Sequence, residues 1–184
     1  MTHHSEVYRL LLEHFKSKPF TFVEIGTFRA DLPKGILSMF PNCTKLWTID
    51  PWRHVDGVEF EASQPQEMHD NNRAHAYQCL KEFGDRAQIL HMTSDEAIKH
   101  FVKDVPGAVP TQEMTQVDVV HVDGHHDGPT ITKDIENYWP IVKSGGIFSG
   151  HDYGQCHPLT EIIKDRFGDS IHTGADFTFW VYKY

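Results

Sequence analysis

An open α/β sheet, mostly parallel and covered by helices on both faces, is the architecture that this sequence predicts. Strand-like and helix-like stretches alternate along the chain. The run Val117-Asp-Val-Val-His-Val122 is apolar enough for a central buried strand. The chain closes on two short strands around Gly174-Ala-Asp176, and so short a link makes them antiparallel.

Residues 4–17 place Val7, Leu10, Leu11 and Phe15 at helical spacing, and Pro19 stops that helix. Residues 20–25 are β-branched and aromatic and end at Gly26, a first strand. A helix over 32–40 turns Ile36, Leu37 and Phe40 inward and closes at Pro41; a second strand over 45–49 ends at Asp50-Pro51. Residues 51–65 read as irregular. A helix over 66–83 follows, with Ala76, Cys79, Leu80 and Phe83 inward and Gly84 as its stop. Residues 88–91 form a third strand. Thr93-Ser-Asp-Glu96 has capping-box spacing and opens a helix through Ala97, Ile98 and Phe101. Residues 104–116, with two prolines and a glycine, read as a loop before the strand over 117–122. The helix over 129–143 has Pro129 in its first turn and an apolar stripe of Ile131, Ile135, Tyr138, Trp139 and Val142, with Pro140 placed to shorten it. A strand over 145–149 and a helix over 158–167 precede the closing hairpin in 170–184. The expectation is a Rossmann-like sheet of seven strands in one domain spanning 1–184, with residues 1–18 as a leading helix.

The chain has 184 residues, with 17 Lys and Arg against 26 Asp and Glu, a net charge of -9. That balance disfavours nucleic acid and anionic membrane as partners. Three scattered cysteines make no CxxC pair, so the default setting is reducing and cytoplasmic. Of the 14 histidines, His3, His4, His54, His69, His75, His100, His157 and His172 read as surface or packing residues. Trp47, Trp139 and Trp180 read as packing too.

Parallel sheets bind ligands beyond the carboxyl ends of their strands. Here those ends are residues 24–31, 50–52, 92–94, 123–126 and 149–153. Gly26 lets a ligand approach the backbone, and Asp50 stands where a carboxylate accepts ribose hydroxyls. A dinucleotide needs a glycine-rich turn for its pyrophosphate. The turn Gly26-Thr-Phe-Arg-Ala-Asp31 has one glycine, with Glu24 and Asp31 as repelling carboxylates. A ribose-bearing, phosphate-free, cationic ligand such as S-adenosylmethionine suits it better. An NAD-linked oxidoreductase is the weaker alternative.

Four blocks carry a family resemblance. They are Phe22-Val-Glu-Ile-Gly-Thr-Phe28, Leu46-Trp-Thr-Ile-Asp-Pro-Trp52, Val119-Val-His-Val-Asp-Gly-His-His126, and Trp139-Pro with Gly145-Gly-Ile-Phe-Ser-Gly-His-Asp-Tyr153. Over about residues 20–155 the chain resembles class I S-adenosylmethionine-dependent methyltransferases, most closely the small branch of macrocin-type O-methyltransferases acting on macrolide sugars. The resemblance implies that Glu24 and Gly26 face the methionine end, Asp50 the ribose, and Thr93 and Ser94 the adenine; Thr27 and Asp123 complete the expected cofactor-binding set. Trp52 either covers the adenine or packs a loop. The sequence departs from the family at Ala30, where a second glycine is usual, at Leu32, usually a small hydroxyl residue, and at Gly128, usually an aromatic.

Asp123 and Asp152 follow adjacent strands, roughly 4.8 Å apart, and so can share a divalent cation. The resembling enzymes chelate a metal with the pair matching His151 and Asp152. The ligand set is then Asp123, His151 and Asp152, with magnesium if the carboxylates dominate and manganese or iron if His151 ligates. His126 is the candidate general base, with His125 as competitor. The plain alternative is a polar turn in which Asp127 caps the next helix. The expected activity is O-methyl transfer to a small hydroxylated acceptor. Its pocket would come from residues 51–65, 104–116 and 151–158, with a neighbouring subunit able to complete it. A non-catalytic S-adenosylmethionine- or metal-binding module is the alternative from another class.

Overall fold

A computed structural model describes residues 4–57, 60–104 and 112–184. The main sheet has seven strands in the order β3-β2-β1-β6-β7-β9-β8. They are β1 (Phe20–Ile25), β2 (Cys43–Ile49), β3 (Ala87–Leu90), β6 (Val117–Val122), β7 (Val142–Gly150), β8 (His172–Thr173) and β9 (Phe179–Tyr182). β9 runs antiparallel to both its neighbours, and the other pairings are parallel, as the alternation predicts. β1 and β6 lie centrally, and every residue of each but one is buried. A sheet enclosed on both sides needs apolar residues at both parities, which explains their unbroken apolar runs.

The helices are α1 (Ser5–Phe15), α2 (Asp31–Met39), α3 (Gln66–Leu80), the single turn α4 (Ser94–Ala97), α5 (Gly128–Tyr138) and α6 (His157–Phe167). Two apolar clusters pack on the two sides of the sheet. One joins Leu10, Leu11, Ile36 and Leu37 from α1 and α2 to Phe20, Phe22 and Val119. The other joins Ile131, Ile135, Leu159 and Ile163 from α5 and α6 to Val23, Val120 and Phe148. The alternating side chains of β1 and β6 divide between them.

The expected capping box at Thr93 is formed, with Glu96 returning to the Thr93 amide. Asp127 caps α5 by accepting from the Thr130 amide at 2.7 Å. α5 ends at Tyr138, short of the expected 143, because Pro140 cannot continue it. α3 tightens into a 3-10 turn over Lys81–Arg86. One expectation needs correction: the stretch 104–116 is not simply a loop. β4 (Val102–Asp104) and β5 (Gln112–Met114) pair as a separate antiparallel ribbon. Residues 105–111 lie outside the described residues, as do 58–59 of the expected 51–65 pocket loop. Among the described residues no helix is long and apolar enough to cross a membrane.

Candidate functional site at the strand ends

The carboxyl ends of β1, β2, β6 and β7 bring together most of the expected residues. Gly26 has φ +93°, and a Cβ there would lie 2.1 Å from the Asp123 carbonyl oxygen. Protein backbone, rather than ligand approach, therefore demands this glycine. Beyond it Phe28 and Ala30 also adopt positive φ, 48° and 66°. Ala30 thus stands in a backbone conformation that favours glycine, the residue usual there in the resembling family.

Glu24 is buried and accepts a 2.5 Å hydrogen bond from Thr48 Oγ1, which also bonds Thr27 Oγ1. Burial, then the charges of Asp123, Asp50 and Asp31, push its carboxyl well above the usual range. The three aspartates therefore act on Glu24 across the strand ends. Asp50 accepts from the Phe28 amide (2.9 Å) with one oxygen and from the Trp52 amide (2.7 Å) with the other. Burial raises its pKa, and those amides offset part of the rise. Asp50 thus stitches two loops together, with acceptor capacity left on each oxygen.

For Trp52 the structure has the packing alternative. Its indole is 2% exposed and donates to the Phe28 carbonyl at 2.8 Å. The ring fills the joint between the loops and offers no open face. The exposed aromatic beside Asp50 is Phe28, which the sequence reading passed over. Thr93 spends its side chain on the capping box, and the Ser94 carbonyl accepts from the Tyr138 hydroxyl, so the adenine expectation for this pair gains no direct support.

At the ends of β6 and β7, Asp123, His126 and Asp152 each place a possible ligand atom within 4.8 Å of the others. His126 Nε2 is 3.1 Å from Asp152 Oδ2 and 4.0 Å from Asp123 Oδ1. Hydrogen bonds from His126 and then His151 hold the Asp152 carboxyl well below the usual range. Two carboxylates and an imidazole suit a divalent cation, with the imidazole favouring a transition ion over magnesium.

Two of the expected residues stand differently from the expectation. His151 is not in this group: it is buried, and its Nδ1 is spent on Asp152 Oδ1 at 2.9 Å. Burial lowers its pKa, but that bond and the charges of Asp123, Asp152 and Asp176 outweigh it and raise it. His126, expected as a base, lies instead within reach of both carboxylates and could offer a third ligand atom. Its Nε2 faces Asp152, and its Nδ1 is buried with no hydrogen-bond partner among the described residues. Neither nitrogen is presented to an acceptor. His125, its competitor, turns aside to Asp127 at 3.3 Å.

Two further histidines stand near the site without having been singled out for it. His121 is wholly buried on β6, two residues before Asp123 and on the same face. That parity was available from the sequence. His4, set aside as a surface or packing residue, reaches over from the start of α1 to 3.9 Å from Asp123 Oδ2. No local pattern could have signalled a contact between residues so far apart in the chain. A shallow hollow between α3 and β3, lined by Ala74, Tyr77, Gln78 and Ile89, contains none of the expected site residues.

A family model described as a methyltransferase domain matches residues 23–153. No curated protein matches the chain by sequence. Among solved structures it is similar to the O-methyltransferase NovP (18% identity, covering 97% of this chain and 78% of that one, TM-score 0.61). It is also similar to the O-methyltransferase TomG from Streptomyces achromogenes, involved in tomaymycin synthesis and solved in complex with SAM (14%, 100% and 82%, TM-score 0.61). A third is a putative caffeoyl-CoA O-methyltransferase from Staphylococcus aureus (14%, 96% and 80%, TM-score 0.61). At these identities the likeness is one of fold.

Proposed function

The chain belongs to the methyltransferase-domain family, class I and S-adenosylmethionine-dependent, and from that premise we propose that it methylates a hydroxyl group of a small molecule with the help of a divalent cation. The dinucleotide alternative falls away with the family assignment. The observation that supports the cofactor end is the gathering of Glu24, Asp31, Asp50 and Asp123 at the strand ends, where burial and then the three aspartates raise the pKa of the Glu24 carboxyl. Such a field favours a ligand bearing a sulfonium and an ammonium group. The observation that supports the cation is the Asp123, His126 and Asp152 group.

When bound, the cofactor supplies an electrophilic methyl group, and a cation lowers the pKa of a coordinated hydroxyl. Asp50 has acceptor capacity for ribose hydroxyls and fixes the loop on which Phe28 sits. Asp123, His126 and Asp152 would hold the cation. His151 keeps Asp152 in place through its 2.9 Å bond. Holding acceptor and donor in line would supply most of the acceleration.

Calorimetry and turnover test this together. Asp50→Ala should weaken S-adenosylmethionine binding at least ten-fold and leave manganese binding unchanged. Asp152→Ala should abolish metal-dependent turnover and leave cofactor binding intact. His126→Ala should lose activity equally at all pH, as a missing ligand does; recovery at high pH would return it to the role of base. Cofactor binding without turnover over a broad panel of hydroxylated acceptors would favour the non-catalytic module. Unchanged turnover after chelation would remove the cation.

A further inference from the structure

The two oxygens of Asp123 face different partners. Oδ1 is the atom nearest His126, at 4.0 Å, and Oδ2 is the atom nearest His4, at 3.9 Å. On the His4 side, a ring nitrogen of His4, a ring nitrogen of His121 and a carboxylate oxygen of Asp123 lie within 4.8 Å of one another. His121 is wholly buried on β6. Its Nδ1 is 2.9 Å from Ser149 Oγ, which fixes the ring, while its Nε2 is buried with no hydrogen-bond partner among the described residues. A buried imidazole nitrogen left without a partner costs stability, so a polar ligand held there would offset that cost. The His4 ring packs edge-on against His121 at 6.0 Å.

We propose that His4, His121 and Asp123 form a second cation site, selective for a divalent transition ion of the zinc or iron(II) type, with Asp123 bridging it to the Asp123, His126 and Asp152 group. Two imidazoles and one carboxylate select borderline ions over magnesium or calcium. Three protein ligands leave coordination positions for water or another oxygen donor. The orienting bond from Ser149 is the kind of outer contact that fixes a ligating ring. A cation here also clamps the first turn of α1 to the end of β6, because His4 is the residue that opens α1. The site shares Asp123 with the methyl-transfer reading but needs neither His126 nor Asp152.

The untagged 184-residue chain titrated with cobalt(II), read by its visible absorption, tests the site. His4→Ala lies at the chain's start and removes one ligand without touching the sheet. It should lower the cobalt stoichiometry from two ions per chain to one and reduce the rise in Tm that zinc gives the wild type. His121→Gln should do the same, and His126→Ala should keep the ion that His4→Ala loses. Wild-type cobalt stoichiometry in His4→Ala overturns the site. So does a single cobalt ion in the wild type whose band is lost in His126→Ala but kept in His4→Ala, which would assign the ion to the other group.

Discussion

Asp134 shows how a single side chain can set the pH dependence of stability. It sits on α5, 1% exposed, with neither carboxylate oxygen hydrogen-bonded in good geometry among the described residues. Burial raises its pKa from 3.8 to about 6, with Ser94 offsetting part and Asp95 and Asp127 adding to it. A carboxyl whose pKa rises on folding carries no penalty at low pH, where both states are protonated. The penalty grows as pH passes from about 4 to 6 and is constant above. Asp134→Asn should therefore stabilise the protein by about 2–3 kcal/mol at pH 7, with the gain vanishing near pH 4. Denaturant melts at the two pH values measure this, and an equal gain at both would rule out titration as the cause.

α1 is anchored by a residue from the far end of the chain. No side chain of its own caps its first turn. Asp176, in the turn between β8 and β9, accepts from the Glu6 amide at 2.9 Å and the Ser5 hydroxyl at 3.2 Å. Asp176→Ala should cost about 1 kcal/mol, the usual loss for a cap, with faster amide exchange at Glu6 and Val7. Exchange as slow as in the wild type would show that packing alone holds the turn. This tertiary cap was hidden from the sequence, and so was the position of His4, because both depend on contacts across the whole chain. What was legible had a local cause. The strands of the main sheet followed from apolar runs, α5 from its stripe and Pro129, and α4 from its capping box. The β4 and β5 ribbon went unread because three-residue strands are too short to show alternation. At the site, Asp50, Asp123, His126 and Asp152 were singled out because each follows a strand, and the structure brings the last three together. That His126 rather than His151 would group with the two carboxylates was not legible: His151 and Asp152 are neighbours that differ in direction, and the φ of 62° at Asp152 turns that carboxylate to meet both rings.

One sheet with a covered face on each side makes the leading helix part of the fold. Val7, Leu10, Leu11 and Phe15 are each no more than 6% exposed and lie against Phe20, Phe22 and Ile36. Burial of such a side chain contributes roughly 1.5–3 kcal/mol, so α1 supplies on the order of 6–12 kcal/mol before the entropy of ordering it. Whole domains keep only about 5–15 kcal/mol net. Removing residues 1–16 should therefore abolish cooperative unfolding and expose the α2 face of the sheet, with dye binding and aggregation as readouts. A truncated chain that melts at the wild-type temperature would make α1 an accessory arm. Since α1 also delivers His4 to Asp123, the same helix that completes the core fixes one wall of the candidate site, and core stability and site geometry change together.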